Sequence, residues 1–143
     1  MKTTIAIVDD TLQVREHIVT LLNQSEAFTC VGAYSNADEA LRELVVQKPK
    51  IVILDIHLNE QLTGLDILKR MKPLLPDTDF LMFTIFEDDK TVFEAIREGA
   101  TGYLLKSTSD TKLIDALIEI ADGGAPMSPR IARQVLQIFQ KKK

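Results

Sequence analysis

Five short apolar runs alternate with stretches of helical periodicity, and this alternation constrains the fold more than any other feature of the chain. The runs cover residues 4–8, 28–31, 51–54, 80–83 and 102–105. They are nearly continuous in apolar residues, which is typical of parallel strands covered on both faces. Strict alternation of strand and helix therefore predicts an open parallel α/β sheet with helices on both faces. In such a sheet, ligands bind at the edge where the carboxyl ends of the strands meet.

Residues that start or stop helices separate these runs. Ser35, with Asp38 three residues later, predicts a capping box at the start of the second helix. Pro73 requires the third helix to stop before it. Gly99 predicts the end of the fourth helix, because glycine readily adopts the left-handed conformation that follows a helix.

A further helical stretch follows two glycines at 123 and 124 and lies outside the alternation. Ser128 is predicted as its N-cap and Pro129 as its first residue. Ile131, Val135 and Ile138 then form one apolar stripe. We expect this helix either to pack on the domain or to lead towards another one.

Composition excludes several classes of protein. A length of 143 residues suits one domain with an ordinary core and one extra element. The formal net charge of −4 gives no support for non-specific binding to nucleic acid or membranes. Cys30 is the only cysteine, so an internal disulfide and a cysteine-rich metal site are excluded. Because no signal-peptide pattern and no membrane-spanning apolar run are seen, we expect a cytoplasmic protein with no membrane partner.

Charged and hydroxyl side chains follow four of the five predicted strands. Asp9 and Asp10 follow the first strand, and Asp55 follows the third. Thr84 ends the fourth strand, and Lys106 follows the fifth. Since the carboxyl ends of parallel strands meet at one edge of a sheet, these side chains should share a pocket.

Three carboxylates in one pocket repel each other strongly unless a cation lies among them. Carboxylate oxygens without histidine or cysteine partners favour Mg²⁺ or Ca²⁺ over zinc. Mg²⁺ keeps several waters and often binds beside a phosphate, which leaves room for a phosphoryl group on one carboxylate. The pattern therefore predicts a magnesium site that can work on a phosphoryl group.

These motifs, in this order, resemble the receiver domain of bacterial two-component response regulators over roughly residues 3–122. The resemblance implies a flavodoxin-like, doubly wound fold with a five-stranded parallel sheet of strand order 2-1-3-4-5 and an extra C-terminal helix. It implies that Asp55 accepts a phosphoryl group from the phosphohistidine of a sensor histidine kinase. It also implies that Mg²⁺ is held by Asp9, Asp10, Asp55 and the backbone carbonyl of His57.

The same resemblance assigns roles to three further residues. Lys106 pairs with the phosphoryl oxygens, and Thr84 bonds the phosphoryl group after modification. Thr84 and Tyr103 together form the switch that reports the modification. The chain would then be a signalling switch and not an enzyme in the ordinary sense.

The C-terminal part of the chain narrows the resemblance to regulators of the NarL/LuxR type, on the segments FEDDKTVFEAIREGATGYLLKSTS and DGGAPMSPRIARQVL. This implies a receiver over residues 1–124 and a linker helix over residues 125–143. A helix-turn-helix output domain, which regulates transcription, is expected beyond the linker and is missing from this chain. We therefore expect no direct DNA binding by this chain, and a homodimer on activation.

Several positions near the site depart from the family pattern. Members usually carry proline four residues after the phosphorylated aspartate, where this chain has Asn59. They usually carry glycine eight residues after it, whereas Gly64 lies nine residues after Asp55, an apparent insertion of one residue. Ser107 stands where many members have a proline after a cis bond. The loop over residues 57–64 is thus expected to differ in shape.

Two other functions fit part of the pattern. A Mg²⁺-dependent phosphohydrolase also uses an aspartate nucleophile, but such enzymes typically place a second acid two residues later, where this chain has His57. A receiver-like interaction module that is never phosphorylated usually lacks one of the acids or the lysine. Asp9 and Asp10, taken alone, fit a strand end with a helix N-cap equally well.

Overall fold

A computed structural model describes residues 2–58 and 61–141 of the chain. In chain order, the helices and strands of these residues are β1 (Thr3–Val8), α1 (Leu12–Asn23), β2 (Phe28–Tyr34), α2 (Ala37–Gln47), β3 (Ile51–Leu54), α3 (Gly64–Met71), β4 (Asp79–Thr84), α4 (Asp89–Arg97), β5 (Gly102–Leu105), α5 (Asp110–Ala121) and α6 (Pro129–Lys141). All five predicted strands are therefore present. The second is longer than its apolar run, because residues 32–34 continue to pair with β1 after a register shift.

The strands form one parallel sheet of order β2-β1-β3-β4-β5, which confirms the predicted fold. Val8 pairs with Leu54 across β1 and β3, and the N–H of Asp55 donates to the carbonyl of Val8 at 3.0 Å. On the other side of β3, Thr84 pairs with Leu105 across β4 and β5. The residues that follow these strands consequently lie at one edge of the sheet.

Alternating strand residues build two separate cores, one on each face of the sheet. Ala6 and Val8 point into the core beneath α2, α3 and α4, and Ile5 and Ile7 point into the core beneath α1 and α5. The inner strands β1, β3 and β4 are buried on both faces, which is why their sequences are continuous apolar runs, whereas most residues of the edge strand β2 are only half-buried. Two covered faces leave the carboxyl edge of the sheet as the place where polar side chains can gather.

The start of α2 differs by one residue from the sequence prediction. The cap of α2 is Asn36, whose side chain accepts a hydrogen bond from the N–H of Glu39 at 2.9 Å, so the predicted cap at Ser35 is wrong. Asparagine and serine cap helices equally well, and the pattern could not separate two adjacent candidates. α3 ends before Pro73, as predicted, and opens with a capping box between Thr63 and Asp66 that was not predicted.

The extra helix α6 begins at Pro129 and packs on the domain, chiefly against α4. Its side chain Ile131 is fully buried in the same core as Tyr103. Ser128 does precede the helix, but its hydroxyl accepts a hydrogen bond from the N–H of Leu105 at 3.1 Å. Met127 forms a parallel bridge with Tyr103, so the chain before α6 lies along the outer edge of β5.

Within the part of the chain that the structure describes, none of the helices has the length and hydropathy needed to span a membrane.

Candidate functional site

The carboxylates of Asp9, Asp10 and Asp55 meet at the carboxyl edge of the sheet. Each contributes an oxygen, and these oxygens lie within 4.8 Å of one another. Asp9 is 1% exposed and Asp55 is 5% exposed, whereas Asp10 is half-buried. Val8 of β1 pairs with Leu54 of β3. Asp9, which follows Val8, therefore lies beside Asp55, which follows Leu54.

Lys106 lies between two of these acids. Its Nζ is 2.7 Å from Oδ2 of Asp9 and 2.8 Å from Oδ2 of Asp55. Burial alone would lower the pKa of Lys106, but the hydrogen bonds to Asp55 and Asp9 and the charges of those carboxylates raise it overall. The ammonium therefore stays charged at neutral pH and neutralises part of the acidic cluster.

Backbone N–H groups fix the other oxygens of the two buried acids. Oδ1 of Asp55 accepts from the N–H of Ile56 at 2.7 Å, and Oδ1 of Asp9 accepts from the N–H of Thr11 at 2.9 Å. Each of these bonds fixes the direction in which its carboxylate points. Both side chains are thus held in one orientation before any ligand binds.

The cluster fits a hard divalent cation. Three carboxylates and one ammonium leave a formal charge of minus two on these four groups. All the clustered ligand atoms are carboxylate oxygens, which Mg²⁺ and Ca²⁺ prefer. Among residues 2–58 and 61–141, no second group of three acidic, histidine or cysteine side chains is close enough to hold a metal.

Arg15 and Gly64 shape this site by hydrogen bonds to backbone carbonyls. The sequence analysis gave neither residue a structural role. The guanidinium of Arg15, which is half-buried, donates to the carbonyl of Asp9 at 2.8 Å and holds the turn between β1 and α1. The N–H of Gly64 donates to the carbonyl of Ile56 at 2.7 Å. A Cβ at position 64 would lie 1.9 Å from the carbonyl oxygen of Asp55, so only glycine fits there. The spacing of Gly64 from Asp55 was the one available signal, whereas no pattern pointed to Arg15.

Thr84 and Tyr103 meet at Phe86. Thr84 is fully buried, and its Oγ1 accepts from the N–H of Phe86 at 3.4 Å. The hydroxyl of Tyr103 donates to the carbonyl of Phe86 at 2.7 Å. Burial raises the pKa of Tyr103, and the charges of Asp88 and Asp55 raise it further. The ring of Tyr103 is fully buried, and its role with Thr84 as a switch stays a prediction.

The structure describes His57 and Ser107 among the remaining positions that the sequence analysis discussed. The side chain of His57 is exposed, and its ring centroid is 6.5 Å from that of Phe86. Asn59, the residue in the family's proline position, lies outside the described residues. The bond between Lys106 and Ser107 is trans, as are the other peptide bonds of the described ranges.

Comparison with known proteins identifies the same family that the sequence motifs of the site resemble. The family model for the response regulator receiver domain matches residues 5–118. The transcriptional regulatory protein LnrK of Bacillus subtilis is 32% identical over 139 residues, which cover 97% of this chain and 63% of LnrK. The oxygen regulatory protein NreC of Staphylococcus epidermidis is 28% identical over 135 residues, covering 94% of this chain and 62% of NreC. The chain thus spans less than two thirds of the length of these relatives.

Solved structures agree with this result. A two-component response regulator of the LuxR family from Aurantimonas sp. SI85-9A1 has a TM-score of 0.88 and 27% identity, covering 97% of this chain and 99% of that one. The isolated receiver domain of RcsB from Salmonella enterica has a TM-score of 0.84 over 94% of this chain and 99% of that one, and at 20% identity it supports the fold alone. The chain therefore belongs to the response regulator receiver domain family, and its relatives are regulators of the LuxR/NarL kind.

Proposed function

We propose that this chain is a phosphorylation-dependent switch in which Asp55 accepts a phosphoryl group from the phosphohistidine of a sensor histidine kinase. The nitrogen–phosphorus bond of the donor breaks as an oxygen of Asp55 bonds to phosphorus, which leaves an aspartyl phosphate and a free histidine. The observation that carries the proposal is the position of Lys106, hydrogen-bonded to Asp55 and Asp9 within a cluster of three carboxylates.

The surroundings of Asp55 suit a nucleophile. A carboxylate can attack phosphorus, as it does where an aspartyl phosphate is an intermediate. Its two oxygens are oriented by the N–H of Ile56 and by Lys106, so little ordering is needed before reaction. Lys106 also stays charged, and its ammonium can pair with the phosphoryl oxygens as they arrive.

The reaction is expected to need Mg²⁺. Asp9, Asp10, Asp55 and the backbone carbonyl of His57 would hold the ion. When bound, it supplies positive charge that offsets the negative charge spread over the phosphoryl oxygens. Lys106 relieves only part of the repulsion among the three carboxylates, so a bound cation is expected to stabilise them further.

The output of the switch is proposed to lie outside this chain. We assign residues 1–124 to the receiver and residues 125–143 to a linker helix that leads to a DNA-binding domain. LnrK is named as a transcriptional regulatory protein, and this chain spans 63% of its length, which supports that division. The acidic net charge of −4 fits a chain that does not bind DNA by itself. A homodimer is expected on activation, and the receiver is expected to act in the cytoplasm.

Incubation with acetyl phosphate and Mg²⁺ tests the proposal. Intact-mass measurement should show one added phosphoryl group, and Asp55→Asn should abolish it because an amide is not a nucleophile. Asp10→Ala should weaken the labelling through lost metal affinity. Asp77→Asn is the matched control, since Asp77 is an exposed acid outside the acidic cluster. Full labelling of the Asp55→Asn protein would mean that another group is the acceptor. A receiver is expected to lose its phosphoryl group at most slowly, so rapid release of phosphate over many turnovers would instead favour a phosphohydrolase.

A further inference from the structure

The turn between β1 and α1 carries two of the three acids of the cluster, and it holds their side chains unequally. The carboxylate of Asp9 is bound on both oxygens, by the N–H of Thr11 at 2.9 Å and by Nζ of Lys106 at 2.7 Å. The carboxylate of Asp10 is half-buried and accepts from the hydroxyl of Thr11 at 3.5 Å, which is long for a hydrogen bond between two oxygens. The direction of Asp10 therefore depends mainly on its backbone.

The start of α1 differs from the starts of the four helices that follow it. The N-caps of α2, α3, α4 and α5 each accept a side-chain hydrogen bond from the first turn of their helix, and they are Asn36, Thr63, Asp88 and Ser109. Within residues 2–58, where α1 lies, the side chain of its N-cap Thr11 makes no such bond. The turn that carries Asp9 and Asp10 thus lacks the side-chain bond that holds the other four helix starts.

Arg15 supplies two hydrogen bonds to this turn. Nη1 of Arg15 donates to the carbonyl of Asp9 at 2.8 Å, and the backbone N–H of Arg15 donates to the carbonyl of Thr11 at 3.1 Å. The carbonyl of Asp9 belongs to the peptide group that joins Asp9 to Asp10. Because a peptide group is planar, a bond that orients this carbonyl also orients the N–H and Cα of Asp10. Arg15 therefore restrains the backbone from which the carboxylate of Asp10 projects.

The guanidinium of Arg15 binds the turn without occupying the carboxylates. Lys106 pairs with the carboxylates of Asp9 and Asp55, whereas Nη1 of Arg15 binds a backbone oxygen. Among the ion pairs of the described residues, none includes Arg15. The positive charge of Arg15 would repel a nearby cation, so a favourable contribution of Arg15 to metal binding has to come through geometry.

We propose that Arg15 is a positioning residue for the divalent cation, which sets the Asp9–Asp10 peptide group so that the carboxylate of Asp10 lies beside those of Asp9 and Asp55. The inference rests on the metal site of the proposed function. Mg²⁺ requires nearly ideal octahedral geometry, so a ligand whose backbone moves has to be ordered when the ion binds. Residues that orient metal ligands typically contribute about 10- to 100-fold to metal affinity, and we expect about tenfold because Arg15 restrains one of three acids.

The test compares arginine variants of two helices. Arg15→Ala removes the bond to the carbonyl of Asp9. Arg42→Ala removes the same residue type from an exposed position in the middle of α2, so the two variants change net charge and helix propensity equally. Charge alone predicts tighter binding of Mg²⁺ by Arg15→Ala, because a nearby cation is removed. Loss of positioning predicts weaker binding, so the two effects differ in sign.

Titration with Mg²⁺ alone, followed by amide NMR, measures the dissociation constant. Arg15→Ala should bind Mg²⁺ about tenfold more weakly than wild type, and Arg42→Ala should match wild type. In EDTA, amide nitrogen relaxation should show greater motion of the Asp10 backbone in Arg15→Ala than in wild type. In labelling by acetyl phosphate, the concentration of Mg²⁺ that gives half of the maximal rate should rise by about the same factor, while the rate at saturating Mg²⁺ falls less.

Arg15→Lys is the conservative variant. It keeps the charge but offers a shorter side chain without a planar fork, so its affinity for Mg²⁺ should lie between those of wild type and Arg15→Ala. It also carries the test if Arg15→Ala does not fold.

Equal or tighter binding of Mg²⁺ by Arg15→Ala would overturn the inference and leave the proposed function standing. An equal loss of affinity in Arg42→Ala, or wild-type affinity in Arg15→Lys, would have the same consequence. Failure of the wild-type protein to bind Mg²⁺ would overturn both the inference and the metal requirement of the proposed function.

Discussion

Lys106 joins two buried acids from different strands, with its Nζ 2.7 Å from Asp9 and 2.8 Å from Asp55. The contact connects the loop after β5 to the ends of β1 and β3. It neutralises part of the acidic cluster before any ligand is present. When a metal binds to Asp9 and a phosphoryl group is attached to Asp55, we expect the ammonium to move from the carboxylates to the phosphoryl oxygens.

Removing the ammonium of Lys106 should lower the free energy of unfolding, and Mg²⁺ should restore most of the loss. Lys106→Met leaves Asp9 and Asp55 buried without their cation, and removing one partner of a buried ion pair costs about 3–5 kcal/mol. Urea unfolding in EDTA should show a loss of this order. Excess Mg²⁺ should recover most of it, because the ion supplies the missing charge. Lys112→Met, at an exposed position of α5, is the control. A loss that is the same with and without Mg²⁺ would contradict the assignment of the metal site.

Gly64→Ala should be costly because of a backbone collision. The added Cβ would lie 1.9 Å from the carbonyl oxygen of Asp55 and 2.9 Å from Cα of Ile56. Overpacking of this kind costs about 1–3 kcal/mol or more, and the shift it forces falls on Asp55, the proposed phosphoacceptor. We expect both lower stability and slower phosphorylation by acetyl phosphate.

Gly123→Ala is the comparison for this effect. Gly123 has a φ of +93° but nothing within 4 Å of its Cβ position, so the substitution costs only backbone strain. That is about 1 kcal/mol, with no effect on phosphorylation. If the two variants lose equal stability and both phosphorylate normally, the proposed crowding at Asp55 is wrong.

Thr84→Ala should still be phosphorylated but should respond weakly on the face formed by α4 and β5. One hydrogen bond to a charged group supplies roughly 1.5–3 kcal/mol, enough for about a ten- to hundredfold population shift. Beryllofluoride should therefore produce much smaller chemical-shift changes over residues 88–118 than in wild type. Thr84→Ser, which keeps the hydroxyl, should retain most of the response. A full response in Thr84→Ala would exclude this coupling.

Stability should fall at alkaline pH, and Tyr103 should account for part of the fall. Its pKa is raised above the usual 10.0 by burial, so the folded state holds the proton more tightly than the unfolded state does. The resulting stabilisation is complete below pH 10.0 and declines as the pH rises towards the higher folded value. The pKa of Lys106 is also raised, so its contribution to stability likewise declines as the pH rises above 10.5.

The variant Tyr103→Phe isolates the contribution of the phenol. Its free energy of unfolding should be lower at neutral pH, because the bond to the Phe86 carbonyl is lost. From about pH 9 to about pH 11 it should fall less steeply than that of wild type. Urea unfolding at several pH values measures both slopes. Parallel slopes would show that Tyr103 does not titrate differently in the folded state.

The meeting of the site residues was predictable because it follows from topology. A parallel sheet brings strand ends together, so Asp9, Asp55 and Lys106 could be placed at one edge from the positions of the apolar runs alone. The continuous apolar character of β1 and β3 predicted strands buried on both faces. These features depend on local sequence and on a small set of allowed topologies.

The contacts that refine the site were not predictable in the same way. The bond from Arg15 to the carbonyl of Asp9 depends on the path of the turn before α1, which no residue pattern encodes. The contacts of Gln134 with Glu87 and Asp89 depend on where α6 packs, and an apolar stripe gives the buried face of a helix but not its partner.

Borohydride reduction of the phosphorylated protein determines directly whether Asp55 carries the phosphoryl group. An aspartyl phosphate is reduced to homoserine, whereas a free carboxylate is not, so peptide mass mapping reveals the modified position. After treatment with acetyl phosphate and Mg²⁺, homoserine should appear at position 55, with Asp9 and Asp10 unchanged. Homoserine at position 9 or 10, or none at position 55 despite an added phosphoryl mass, would show that Asp55 is not the phosphoacceptor.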